Sequence, residues 1–164
     1  MLHTPRLSLV PLGAEHFEPL AAMYADPEVI RFLEPAPLDR GEAWRRSPCP
    51  SGHWALRGYG NFACIDKTCG AFVGSCGPWF RQGWPALEIG YSFRRESWGR
   101  GFASEAVSAC ARYAYDVLKA PAVISLVHPD NVRSQRVAER GGAKVEREMV
   151  MRGLPARVFL WPQH

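Results

Sequence analysis

The 164-residue chain contains no uninterrupted apolar run approaching the roughly 18 residues of a membrane span, which excludes a transmembrane helix. It has no basic run either. The formal net charge is +4, with Lys and Arg scattered rather than clustered as in a dedicated nucleic-acid binder, so no nucleic-acid partner is expected. No signal-peptide pattern opens the chain, because Met1 to Leu12 carries Pro5, Arg6 and Pro11, and a cytoplasmic location is the expectation. Cysteines are few and odd in number. Cys49, Cys64, Cys69, Cys76 and Cys110 include no C-x-x-C pair, and Cys64 and Cys69 with His53 fit structural zinc spacing poorly. Neither a disulfide framework nor a metal site is expected. Internal repeats, linkers and low-complexity segments are missing as well, which leaves one domain over 1–164.

What is present is ordinary in bulk, 47% hydrophobic and 22% charged, so the information lies in pattern. Arg6 to Leu12 alternates polar and apolar positions as a half-buried strand does. From Ala14 to Tyr24 the apolar residues recur at three and four, predicting a helix, and Asp26-Pro27-Glu28 caps a shorter one over Val29 to Leu33. Leu38 to Gly52 reads as a short helix around Asp39 to Arg46 that breaks up in the proline-rich Ser47 to Gly52, a connection long enough to wall a substrate site. His53 to Asp66 and Ala71 to Phe80 read as strands joined by a turn at Gly70.

Ala86 to Phe93 reads as another strand, with Leu87, Ile89, Tyr91 and Phe93 on one face and Glu88, Gly90 and Ser92 on the other. A carboxylate on a covered face is either a candidate base or the partner of an arginine such as Arg57 or Arg81. Next comes Trp98-Gly99-Arg100-Gly101-Phe102-Ala103-Ser104-Glu105. Two glycines bracketing an arginine before a helix form either a cradle of bare N–H groups for phosphate or a plain turn that needs positive φ. The helix behind it reaches Leu118, with Ala103, Ala106, Val107, Cys110, Tyr113, Ala114 and Val117 on its apolar stripe and Ser104, Glu105 and Ser108 on the opposite one. Ala122 to Val127 is a buried strand, parallel to the one before the helix. His128 reads as a turn residue, Asn131 as the cap of a helix over Val132 to Arg140, and Val145 to Arg152 with Pro155 to Trp161 as a terminal hairpin. Trp44, Trp54, Trp79 and Trp84 suit an aromatic platform or simple packing. The fold class is mixed α/β, in the order β-α-α-β-β-β-α-β-α-β-β with one parallel strand pair.

That order, with its glycine turn, resembles the GNAT superfamily of acetyl-CoA-dependent N-acetyltransferases over nearly the whole chain. The superfamily signature Q/R-x-x-G-x-G/A is met at Gly101 and Ala103, with Trp98 in place of Gln or Arg. The run W-G-x-G-x-A-x-E-A is similar to the RimJ/RimL-type branch, which acetylates N-terminal amines of ribosomal proteins. Thr4-Pro5-Arg6-Leu7, Glu88-Ile89-Gly90-Tyr91, Asn131-x-x-Ser134 and Gly141-Gly142-Ala143 fit the same branch.

The resemblance implies acetyl-CoA as co-substrate. The main-chain N–H groups of Arg100, Gly101, Phe102, Ala103 and Ser104 would hold its pyrophosphate, with the Arg100 side chain lending charge. Main chain of Tyr91, Ser92 and Phe93 would pair with the pantetheine arm, and Asn131 would bond its amides or act only as a cap. Glu88 is the implied general base. Ser134 is the implied general acid, or merely the third residue of the helix that Asn131 caps. The acceptor would be a primary amine, on a protein N-terminus or a small molecule, acetylated by direct transfer in a ternary complex. The alternative is an acyl-CoA-binding regulatory module without turnover. A homodimer is left open by the edge strands.

Overall fold

The computed structural model describes residues 1–151 and 153–163, with the side chains of 48–51 outside that set. Eight strands form a single sheet in the order β1-β2-β3-β4-β5-β6-β8-β7. The first two are the two-residue β1 (Leu2–His3), which sequence pattern did not reveal, and β2 (Leu7–Pro11). In β2, Leu7 and Leu9 are fully buried, as the alternation requires. Helix α1 (Phe17–Tyr24) follows, then α2 (Pro27–Ile30), which starts two residues before the expected Val29 and ends before Leu33. The Asp26 carboxylate accepts from the Glu28 N–H at 2.9 Å, and Pro27 fills the first turn, where its missing N–H costs nothing. Helix α3 (Arg40–Arg46) opens on a reciprocal cap in which Asp39 accepts from the Glu42 N–H and Glu42 from the Asp39 N–H.

The next element corrects the sequence reading. Residues Pro48–Arg57 form helix α4, where a break and then the start of a strand at His53 were expected. Prolines confined to a first turn do not interrupt a helix, and Gly58, in the left-handed region at φ +73°, ends it. His53 and Trp54 then tie α4 to the segment behind it. A His53 ring nitrogen lies 2.8 Å from the Tyr59 carbonyl oxygen, and the Trp54 indole N–H donates to the Asn61 carbonyl, also at 2.8 Å.

Strands β3 (Phe62–Asp66), β4 (Phe72–Trp79) and β5 (Leu87–Phe93) form an antiparallel meander, after which α5 (Phe102–Asp116) crosses to β6 (Val123–Val127), parallel to β5. Helix α5 stops short of the expected Leu118, leaving Val117 exposed. Helix α6 (Val132–Arg140) and the hairpin of β7 (Lys144–Met151) and β8 (Leu154–Leu160) complete the chain, with β8 inserted between β6 and β7. Arg152, expected in that hairpin, lies outside the described residues.

The sheet is covered on both faces because β3 alternates. Phe62 and Cys64 join the main core with Leu7, Leu9, Ile89, Val107, Val123 and Phe159, beneath α5. Ala63 joins Leu12, Leu20, Met23 and Phe72 on the α1 side. Leu87, Ile89 and Phe93 belong to the α5 side, so Glu88, Gly90 and Ser92 face the other.

Candidate active site

Strands β5 and β6 pair only at Leu87 with Val123 and Glu88 with Ile124, and beyond those residues they part. The fork opens into a cleft of about 1250 Å³, larger than the roughly 300–1,000 Å³ of a site for one small ligand. The point of the fork is tied. Ser125 donates its hydroxyl to the Ile89 carbonyl at 2.8 Å and accepts from the Trp161 indole N–H at 3.0 Å. Ile89 therefore turns its main-chain groups toward β6, as Tyr91 and Phe93 do by alternation. Ser92 turns its own toward β4 and its register partner Ser75. Of the three residues expected to pair with a pantetheine arm, Tyr91 presents a free main-chain edge. Phe93 presents its N–H, since its carbonyl accepts from the Trp98 indole at 2.8 Å.

One wall is the glycine turn. Gly99 and Gly101 sit at φ +74° and +79°, a region from which any Cβ is discouraged. The first main-chain bond of α5 runs from the Glu105 N–H to the Gly101 carbonyl at 3.1 Å. Among the described residues, the N–H groups of Arg100, Gly101, Phe102, Ala103 and Ser104 find no acceptor within the chain. Five consecutive unsatisfied donors at the positive end of a 15-residue helix could hold an anion. The Arg100 side chain is placed elsewhere than expected: its guanidinium lies over the Phe102 ring at 4.5 Å and meets the Asp66 carboxylate at 3.3 Å, outside the cleft lining. Seven arginines line the cleft, Arg31, Arg45, Arg46 and Arg81 with Arg133, Arg136 and Arg140, and the last three, all of α6, were passed over by sequence reasoning. Their spacing of three and four was the available signal. Arg133 also covers the Trp98 ring at 4.5 Å.

Glu88 lies in the cleft floor at the point where the strands part. No arginine pairs with it directly among the described residues. Arg57 stacks over Phe80, and Arg81 over both Trp79 and Trp84. Instead, the Trp84 indole N–H donates to Oε2 at 2.5 Å, and the Leu126 main-chain N–H also favours the charged form. Burial pushes the carboxyl above the usual carboxylate range, and those two donors with the charge of Arg81 only partly offset it. Beside it, a Cβ at Gly90 would meet nothing within 4 Å, so the floor next to the carboxylate is open.

Ser134 and Asn131 come from the opposite wall. Asn131 Oδ1 accepts from the Ser134 N–H at 3.1 Å, so the side chain of Asn131 is the helix cap. The Ser134 hydroxyl lies 2.7 Å from the Tyr91 hydroxyl, which also donates to the Ser134 carbonyl at 3.0 Å. Sequence reasoning gave Tyr91 a main-chain role alone, and its phenol is the missed group. Burial holds that phenol above its ordinary range, hence protonated. His128 accepts from the Asp130 N–H at 3.1 Å, as a turn residue does, and its ring stacks on Phe32 from the far lip. Of the tryptophans weighed as a platform, Trp79 and Trp84 line the cleft, whereas Trp54 packs in the core and Trp44 lies outside.

A forked parallel pair, a helix start with bare N–H groups and a buried carboxylate at the fork make a cleft that could hold an extended anionic ligand beside an ionisable group. The sequence pattern described as "Acetyltransferase (GNAT) domain" matches residues 6–144. An uncharacterized N-acetyltransferase, p20 of Bacillus licheniformis, is 32% identical over 135 residues, covering 81% of this chain and 76% of that protein. The crystal structure of an acetyltransferase from Agrobacterium tumefaciens superposes with a TM-score of 0.87 at 27% identity, over 99% of this chain and 94% of that one. The aminoglycoside acetyltransferase AAC(6')-Ib, solved with paromomycin and acetyl-CoA, shares the fold at a TM-score of 0.80 and 14% identity, over 95% and 93% of the two chains. The chain belongs to the GNAT acetyltransferases, and acetyl-CoA is its acyl donor.

Proposed function

We propose that the chain transfers the acetyl group of acetyl-CoA to a primary amine by direct attack in a ternary complex, with Glu88 as general base and Ser134 as general acid. The observation that carries this reading is the Glu88 carboxylate at the fork, between the free main-chain edge of β5 and the wall that holds Ser134. The bare N–H groups of 100–104 take the pyrophosphate, and Tyr91 and Phe93 pair with the pantetheine amides. This places the thioester at the fork.

The amine nitrogen, its proton passing to Glu88, bonds to the thioester carbonyl carbon. The carbon–sulfur bond then breaks and the sulfur takes a proton from the Ser134 hydroxyl. The Tyr91 hydroxyl holds that serine in place, and the proton given to sulfur returns to the serine from solvent as Glu88 sheds the amine proton to it. A raised carboxyl pKa suits a base that must take a proton near neutral pH. An α-amine, with a pKa of about 7.7 to 8.0, is partly neutral there, whereas a lysine at about 10.4 is not. The acceptor class is therefore an N-terminal α-amine or a small amine of similar basicity, and the RimJ/RimL-type branch fits on its Thr4-to-Leu7 and Trp98-to-Ala106 motifs. Free thiols at Cys64, Cys69, Cys76 and Cys110 favour a reducing, cytoplasmic setting. A homodimer would use the β7–β8 hairpin, where the exposed apolar residues are the aliphatic Val145, Val150 and Leu154.

Release of free coenzyme A from acetyl-CoA, measured with a panel of N-terminal peptides and small amines, tests the proposal. Acceptor-dependent release that is lost in Glu88→Gln is the expected result. Tight coenzyme binding with no release for any acceptor would leave a binding module instead.

A further inference from the structure

We propose that Arg6, held in place by Glu105, is a positioning residue that sets the peptide plane at the heart of the coenzyme-binding turn. The proposal rests on reading 99–104 as the pyrophosphate site. Sequence pattern put Glu105 on the solvent stripe of α5, yet its carboxylate reaches back to the N-terminal segment. Oε1 accepts from the Thr4 hydroxyl at 2.5 Å and from the Arg6 N–H at 2.8 Å, and Oε2 accepts from Arg6 Nε at 2.7 Å. The segment is pinned again where Lys67 donates to the Thr4 carbonyl at 2.5 Å and the Leu7 N–H to the Thr4 hydroxyl at 2.9 Å.

With Nε committed to Glu105, the guanidinium has one fixed orientation. Its Nη1 donates to the Arg100 carbonyl at 2.7 Å, and its plane lies over the Phe102 ring with Cζ 4.9 Å from the ring centre. In a trans peptide the carbonyl and the following N–H point in opposite directions. Holding the Arg100 carbonyl toward Arg6 therefore turns the Gly101 N–H away from it, where no group among the described residues accepts it. That peptide turns over through ψ of Arg100 and φ of Gly101, and glycine at 101 offers little intrinsic resistance to the second of these. Turned over, it would set a carbonyl oxygen where a phosphate must lie. Glycine at 101 serves the brace too, since a Cβ there would come within 3.2 Å of Arg6 Nη2.

Arg6 is absent from the cleft lining, so it acts through the turn and not by its own charge on the ligand. Lysine cannot replace it: one ammonium group cannot span Glu105 and the Arg100 carbonyl with the fork geometry of a guanidinium.

The test is calorimetric affinity for coenzyme A and for pantetheine, which lacks the pyrophosphate, in the full chain and in Arg6→Lys, Arg6→Ala and Glu105→Gln, with folding checked by thermal denaturation. The expected result is that coenzyme A affinity relative to pantetheine falls roughly tenfold in Arg6→Lys and Glu105→Gln, the effect of one charge-assisted hydrogen bond. Wild-type affinity in Arg6→Lys would overturn the proposal, because charge alone would then suffice. An equal loss for both ligands would overturn it as well, because the residue would then serve the fold. A wild-type chain that binds coenzyme A no better than pantetheine would instead remove the pyrophosphate reading on which the proposal stands.

Discussion

The ionisation of Glu88 is set by its burial and by neighbours that sequence treats unequally. That it stands on the cleft side of a covered strand followed from period-two alternation around Leu87 and Ile89. Its direct partner did not, because Trp84 reaches it only through the geometry of the turn at Gln82 to Pro85. Trp84→Phe removes a donor that favours the ionised carboxylate while keeping an aromatic ring in the wall. The base acts only when ionised, so the acid limb of the kcat/KM profile should move to higher pH, by about one unit if one charge-assisted bond is lost. No movement, or movement downward, in a pH–rate series would contradict the assignment. At the opposite wall, Tyr91→Phe leaves the Ser134 hydroxyl without its 2.7 Å partner. A fall in kcat larger than any change in the KM for acetyl-CoA is the expected outcome in steady-state kinetics, whereas a tyrosine that only packs would leave kcat alone.

Elements were legible where caps and periodicity agreed and illegible where prolines stood in a first turn. Helix α6 shows the first case, with Asn131 before Val132 and a terminal glycine pair. Asn131→Ala should cost about 1 kcal/mol, the usual value of a side-chain cap, read as a lowered denaturant midpoint. Helix α4 shows the second, because the prolines of 48–50 read as breakers although a first turn tolerates them. The glycine turn was legible as a motif and ambiguous as chemistry. Its positive φ angles answer the structural requirement and its bare N–H groups would serve the functional one, so the two readings are compatible in one turn. Gly101→Ala strains the backbone at φ +79° and crowds Arg6. Calorimetry should show weakened coenzyme A binding out of proportion to the loss in Tm.

Across the whole molecule the sheet is a device for prising two strands apart. The parallel pair was visible in the strand–helix–strand run from Ala86 to Val127, but the extent of pairing was not, since a two-residue ladder and a ten-residue ladder have the same local sequence signals. The insertion of β8 between β6 and β7 was equally hidden. It brings Trp161 beneath the fork, where its indole holds Ser125 and its ring edge would lie 2.3 Å from any Cβ at Gly141. That contact explains the first glycine of the Gly141-Gly142 pair, and Gly141→Ala should destabilise the fold by about 1 to 3 kcal/mol in denaturant titration, the usual cost of overpacking.

The central claim, that this fork carries base-assisted acetyl transfer, is tested most directly by the pH dependence of coenzyme A release with one accepted amine, in the wild-type chain and in Glu88→Gln. The wild-type rate should rise with pH through a carboxyl ionisation above the ordinary range. The Glu88→Gln rate should be lower by about 10² to 10⁴ at neutral pH and follow only the ionisation of the amine itself. A Glu88→Gln enzyme with the wild-type rate and the wild-type profile would contradict that claim.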